Sequence, residues 1–151
     1  MKVKTLAKNR RARFEYEIEK TMEVGIVLEG TEVKSIKAGK INITDSFCKV
    51  NENLEVYLLN THISHYNFGN RHNHDPIRPR LLLLHRSEIK RLYGQLKEKG
   101  LTLIPLKIYL KGSIIKLELG IGRGKKLHDK RLTIKKREAQ RELEKIIKER
   151  R

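Results

Sequence analysis

The sequence predicts a mainly β chain with short helices, arranged as an antiparallel barrel that carries a basic C-terminal tail. Two observations point there. Alternating apolar and polar residues recur in paired runs, LEVYLL and LKIYLK among them, each joined to its neighbour by a short turn. There is also no strand–helix alternation of the kind that builds a parallel sheet. A third observation sets the tail apart. After Ile121, thirteen Lys and Arg residues face five Asp and Glu residues, a surplus of eight within a chain of net charge +17.

The first dozen residues carry Lys2, Lys4, Lys8, Arg10, Arg11 and Arg13 without a sustained apolar period, and read as a mobile basic arm. FEYEIE from Phe14 alternates as a strand with one wet face, and GIVLEG forms a second short strand ending at Gly30. TEVKSIKAG reads as a brief helix capped by Thr31 and ended by Gly39. SFCKV and LEVYLL make a hairpin across NEN. Residues 61–80 hold two prolines, Gly69 and four histidines, which reads as a long connection. SEIKRLYGQLKEKG is a helix capped by Ser87, with Ile89, Leu92, Tyr93 and Leu96 on one face and Gly100 at its end. LKIYLK and IIKLELG form the last hairpin around Gly112. Hairpins interrupted by two short helices suit a small, nearly closed barrel of the OB type. The chain divides into a body, 1–122, and a tail, 123–151. The tail's thin apolar face of Leu132, Ala139, Leu143 and Ile146 predicts disorder when free and a helix against phosphate.

Charge narrows the partner. Lys and Arg number 35 against 18 acids, and the sequence pI is about 10.1. Such an excess favours a polyanion: nucleic acid, a ribosome or an acidic membrane surface. No apolar run approaches the roughly 20 residues of a membrane span, and MKVKTLAKNRRARF lacks the apolar stretch of a secretory signal. The lone Cys48 cannot pair internally and reads as a core thiol, so the expected compartment is the cytoplasm.

GRGKKLHDKR, residues 122–131, is rich in Gly and Lys but is not a nucleotide loop. Leu119 stands where a P-loop needs its first glycine, and Lys126 where it needs a hydroxyl. Its glycines read as freedom for the chain to leave the barrel, and its cations as phosphate ligands. His62, His65, His72 and His74 could converge on zinc or run acid–base cleavage of RNA. With no second Cys and a flexible setting, neither a metal nor any other cofactor is expected. Tyr66, Phe68 and His72 could instead stack on bases. Glu23 is unusual in an RNA binder. It reads as an exposed strand residue, or as a group that bonds base edges and 2′-OH groups or holds cationic side chains in place.

The segment NRRARFEYEIEKTMEVGIVLEGTEVKSIKAGKINITDS, with HISHY, NHDPIRPRLLLLHRSEIKRLYG and GRGKKLHDKR, resembles the SmpB family of SsrA-RNA-binding proteins in collinear order from Asn9 to Gln140. The resemblance implies an OB-like barrel with about three helices and no enzymatic activity. It also implies binding to the tRNA-like domain of tmRNA (SsrA RNA) and its delivery to stalled ribosomes for trans-translation, which tags incomplete peptides for degradation. By position, the family's RNA-binding groove matches Asn9, Glu23, Leu83 and His85; some members have Asn in place of His85. Arg10, Arg11, Arg13, Lys34 and Lys37 fit phosphate contacts around it. The ribosome-binding segment matches Gly124, Lys125, Lys126, His128, Asp129, Lys130 and Arg131, and continues through Lys135, Lys136 and Arg137. Its expected partners are the small-subunit decoding centre and the mRNA path, with elongation factor Tu reached through the RNA. In LTIKKREAQ, Leu-Thr replaces an acidic position found in many members. Two rival functions stand beside the adaptor: a general OB-like RNA chaperone, and a ribonuclease built on the loop histidines.

Overall fold

The computed structural model describes residues 2–67, 73–125 and 127–149, without the side chains of 127–130, 132, 133 and 147–149. Its frame is one antiparallel sheet of seven strands. In chain order the strands are β1 (Val3–Lys8), β2 (Tyr16–Ile26), β3 (Ile41–Asn42), β4 (Phe47–Val50), β5 (Val56–Leu59), β6 (His62–Ile63), β7 (Arg80–Leu83), β8 (Thr102–Lys111) and β9 (Ile114–Gly124). The helices are α1 (Ala12–Glu15), α2 (Gly30–Lys37), α3 (Arg86–Lys99) and α4 (Leu127–Glu149). The main sheet runs β1-β8-β9-β2-β7-β5-β4, and β3 pairs with β6 in a separate two-stranded ribbon. The sheet curls so that β4 comes back beside the first half of β8, but among the described residues no ladder joins the two. The expected barrel is therefore OB-like in being antiparallel and curled, but it is not closed.

One side of the curl is apolar. Ile36, Val56, Leu58, Ile63, Ile108, Leu117 and Leu119 are fully buried, and α3 adds Ile89 and Leu92. Along β9, Ile115, Leu117 and Leu119 face in while Ile114, Lys116 and Glu118 face out, the period of two that a half-buried strand requires.

The N-terminal residues differ from the expected mobile arm. Val3–Lys8 pair with Lys107–Lys111 of β8, and α1 follows. Lys4 and Lys8 are the charges that a solvent-facing edge strand tolerates, and they deter edge-to-edge pairing. FEYEIE and GIVLEG are not two strands. Phe14 lies in α1, and β2 continues through Lys20–Val24 over eleven residues. Arg80–Leu83 is a central strand between β2 and β5. The helix starts also shift: Glu29, not Thr31, is the N-cap of α2, and His85, not Ser87, that of α3. In α3, the Glu88 carboxylate accepts the His85 N–H at 3.1 Å, while Gly100 ends the helix at φ 63°.

Gly122 and Gly124 do not release the chain at residue 122, because β9 stays paired with β2 up to Tyr16–Gly124. A Cβ on Gly122 would sit 2.1 Å from the Glu17 carbonyl oxygen. That glycine exists for close backbone approach. Gly122→Ala forces β2 and β9 apart at their tightest point, and a loss of about 2–3 kcal/mol is expected from overpacking. A urea midpoint unchanged from the parent chain would contradict this. The tail, expected to be helical only against phosphate, forms α4. Glu138–Arg141 and Glu142–Lys145 follow the i, i+3 spacing that supports an exposed helix.

Candidate nucleic-acid interface

The outer face of β1, β8, β9 and β2 gathers most of the residues expected to meet RNA. Asn9 follows β1 directly. Its N–H donates to the Leu106 carbonyl at 2.8 Å, and its Nδ2 donates to the Pro105 carbonyl at 3.0 Å. This ties it to the bulge between Pro105 and Lys107, where proline has no N–H to give the ladder. Among the described residues no donor reaches its buried Oδ1. Asn9 borders a cleft of about 680 Å³ whose rim carries Lys8, Arg10, Arg13, Lys107 and Arg137, with Glu118 as its one carboxylate. Five cations about one opening make a phosphate-attracting site.

Lys107 and Glu118 join the cleft to the outer face of the sheet. Lys107 and Glu118 are cross-strand partners with Nζ 3.5 Å from Oε2, and Glu118 lies opposite Glu23 on β2. Glu23 accepts a hydrogen bond from the Tyr109 hydroxyl at 2.5 Å and one from Lys111 Nζ at 3.2 Å. The Tyr109 hydroxyl, ahead of the weaker pull of Lys111 and Lys116, holds the Glu23 carboxyl below its ordinary range, so it stays ionised. Next along the face, Leu83 stands opposite Gly25, where an added Cβ would come within 3.2 Å of Leu83 Cβ. Leu83 is 54% exposed. His85 follows two residues beyond the end of β7, as the N-cap of α3. Glu23 and Leu83 thus share one face of the sheet, while Asn9, Arg10 and Arg13 border the cleft that Lys107 and Glu118 also line.

The other expected RNA contacts lie differently. Arg11 is exposed as the N-cap of α1. Lys34 and Lys37 sit on α2, where Lys34 stands 5.3 Å over the Tyr66 ring in the connection that follows β6. Among the described residues, no contact joins them to the β8–β9 face. Of the segment expected to engage the ribosome, Gly124 is held in β9, and Lys125 N–H donates to the Glu15 carbonyl at 2.8 Å. Arg131, Lys135, Lys136 and Arg137 are exposed on α4, and Arg137 lies 5.8 Å over the Phe14 ring. Lys126 lies outside the described residues, as do the side chains of His128, Asp129 and Lys130. Sequence reasoning passed over Lys107, Tyr109, Lys111 and Glu118. The signal was present in LKIYLK, whose outward positions are two lysines and a tyrosine.

Of the four histidines in residues 61–80, His65 packs edge-on against His74, with ring centroids 5.8 Å apart. His74 is 3% exposed, with Nδ1 2.8 Å from the Thr31 hydroxyl and Nε2 2.8 Å from the Ile63 carbonyl. The carbonyl can only accept, so Nε2 donates to it, and Nδ1 shares a hydrogen bond with the Thr31 hydroxyl. Both ring nitrogens are hydrogen-bonded within the body, which gives His74 a structural part. His62 is exposed, and Phe68 and His72 lie outside the described residues. Among the described residues no three His, Cys, Asp or Glu side chains cluster to hold a metal, and no helix is long and apolar enough to cross a membrane.

A curled antiparallel sheet with a cationic cleft and one polar face belongs to the class of OB-like nucleic-acid binders. Comparison with known proteins narrows the class. The SmpB protein family profile matches residues 6–149. The SsrA-binding protein of Anoxybacillus flavithermus is 58% identical over 147 residues, covering 97% of this chain and 95% of its own. The SsrA-binding protein of Magnetococcus marinus is 57% identical over 148 residues, covering 98% of each. A solved chain from the structure described as "tmRNA-SmpB: a journey to the center of the bacterial ribosome" superposes with a TM-score of 0.64 at 52% identity, over 80% of this chain and 84% of that one. The chain belongs to the SmpB family.

Proposed function

We propose that this protein binds the tRNA-like domain of tmRNA and delivers it to stalled ribosomes for trans-translation, acting in the cytoplasm as an adaptor and not as an enzyme. The observation that carries this reading is the shared face. Glu23 and Leu83 lie on one sheet face, and Glu118, opposite Glu23, borders with Asn9 a cleft rimmed by five cations, an arrangement that suits recognition of a folded RNA by shape and 2′-OH contacts. Membership of the SmpB family and likeness to proteins named as SsrA-binding support the choice of RNA.

In this reading Asn9, Glu23, Leu83 and His85 form the groove. Arg10 and Arg13 attract its phosphates, and Arg11, Lys34 and Lys37 make outlying contacts. The second part of the job falls to α4 and the residues before it. Gly124 to Arg131, with Lys135, Lys136 and Arg137, engage the decoding centre and the mRNA path, and elongation factor Tu is met through the RNA. The last strand of the body, β9, runs to Gly124.

The test is recovery of the full chain from a bacterial lysate at moderate salt, followed by sequencing of the bound RNA. The reading expects tmRNA to be enriched far above its share of total RNA. Recovery of RNAs in proportion to their abundance would overturn it in favour of a general chaperone.

A further inference from the structure

We infer that Lys111 is itself an RNA contact and that Glu23 is a positioning residue, holding Lys111 against a phosphate instead of touching the RNA. The inference rests on the RNA-binding reading above and names how one part of that face works.

The Tyr109 ring is nearly buried, 6% exposed, and its hydroxyl is bonded to Glu23 Oε2 at 2.5 Å. A buried phenol fixes the carboxylate from beneath. Lys111 Nζ lies 3.2 and 3.4 Å from the two Glu23 oxygens. Its backbone is equally fixed, since it pairs with Val3 on one side and Ile114 on the other, one residue before the turn at Gly112. Lysine carries three donors on a stem of high rotamer freedom. A carboxylate anchored on one side of the ammonium restrains that stem and leaves a donor directed to solvent. Lys107 repeats the arrangement four residues earlier, bonded by Glu118 and 5.4 Å over the Tyr109 ring.

Stability does not account for the pair. Lys111 and Glu23 are 41% and 38% exposed, and such pairs contribute little to folding. Nor does a carboxylate improve a phosphate site by its own charge. Its use on this face is to place a cation.

The experiment is a double-mutant cycle on the full chain, binding the tRNA-like RNA across a salt series. Lys111→Met should weaken binding about fivefold and reduce the slope of log K against log salt by about one, as removal of one phosphate contact does. Glu23→Gln should weaken it about threefold, and the double variant should match Lys111→Met alone, because the two act as a unit. Lys49→Met, an exposed lysine on β4, should leave affinity unchanged. All variants should keep the parent's melting temperature. Losses that multiply in the double variant would show Glu23 touching RNA directly and overturn the inference, as would an unaffected Lys111→Met. A parent chain that does not prefer the tRNA-like RNA over an unstructured strand would instead mark failure of the RNA reading itself.

Discussion

A chain cut after Lys125 will bind the tRNA-like RNA within about threefold of the full chain, and will support no peptide tagging on stalled ribosomes. The cut leaves the body whole. Gly124 stays opposite Tyr16, and the Lys125 N–H keeps the Glu15 carbonyl. Removal of α4 takes away Arg137, one of five cations at the cleft, and its contact over Phe14. Both are exposed interactions of small individual weight. What is lost is a helix with exposed Ile134, Leu143 and Ile146 and a dense row of cations that packs against little of the body. Binding and tagging are therefore separable, and a reconstituted translation assay with a radiolabelled stalled peptide measures the second directly. Full tagging by the shortened chain would remove α4 from the account.

The largest effect on folding is expected at Glu32. This carboxylate is fully buried and accepts from Arg78, from Arg80 Nε at 2.6 Å and from the Glu29 N–H at 2.8 Å. Arg80 is also fully buried and donates to the Thr61 carbonyl at 2.6 Å and the Pro76 carbonyl at 3.2 Å. The cluster joins α2, the connection after β6 and the central strand β7. Glu32→Gln leaves the buried guanidinium without its counter-charge and should cost about 3–5 kcal/mol. That is a large share of the roughly 5–15 kcal/mol that holds a domain folded.

The pH dependence carries a second signature. Burial pushes the Glu32 carboxyl upward, but Arg78, the Glu29 N–H and Arg80 together hold it below its ordinary range. A depressed folded value means stability that is present above the unfolded glutamate range and lost as pH falls through the folded one. Urea midpoints measured from neutral pH down to about pH 3 should fall in the parent and flatten in Glu32→Gln. Equal midpoints at neutral pH would contradict the buried-pair account.

How far the sequence revealed this molecule follows from particular residues. The hairpins were readable because LEVYLL and LKIYLK alternate, and α3 because its apolar residues recur at helical spacing before a left-handed glycine. β7 was hidden because it carries leucine on both faces, Leu82 buried and Leu83 exposed, so RLLLL shows no alternation, and its arginine disguises a core position. β1 was hidden for the opposite reason. As an edge strand it carries the lysines that also mark a mobile arm. Gly122 looked like slack because the reason for it, the Glu17 carbonyl, is a hundred residues away.

The site divided in the same way. The family likeness supplied Asn9, Glu23, Leu83 and His85, and the ladders place Glu23 and Leu83 on one face. No local pattern could have joined Glu23 to Tyr109, or shown that His74 is a buried structural histidine. Those facts exist only once distant strands pair.

The central claim is recognition of one RNA shape, and a competition titration tests it most directly. The tRNA-like domain would be bound to the full chain and displaced by an ordinary tRNA or an unstructured strand of equal length at increasing salt. The account predicts that preference for the tRNA-like domain survives at high salt, because the groove contacts remain when phosphate attraction is screened. Equal affinity for all three RNAs, collapsing together as salt rises, would contradict it.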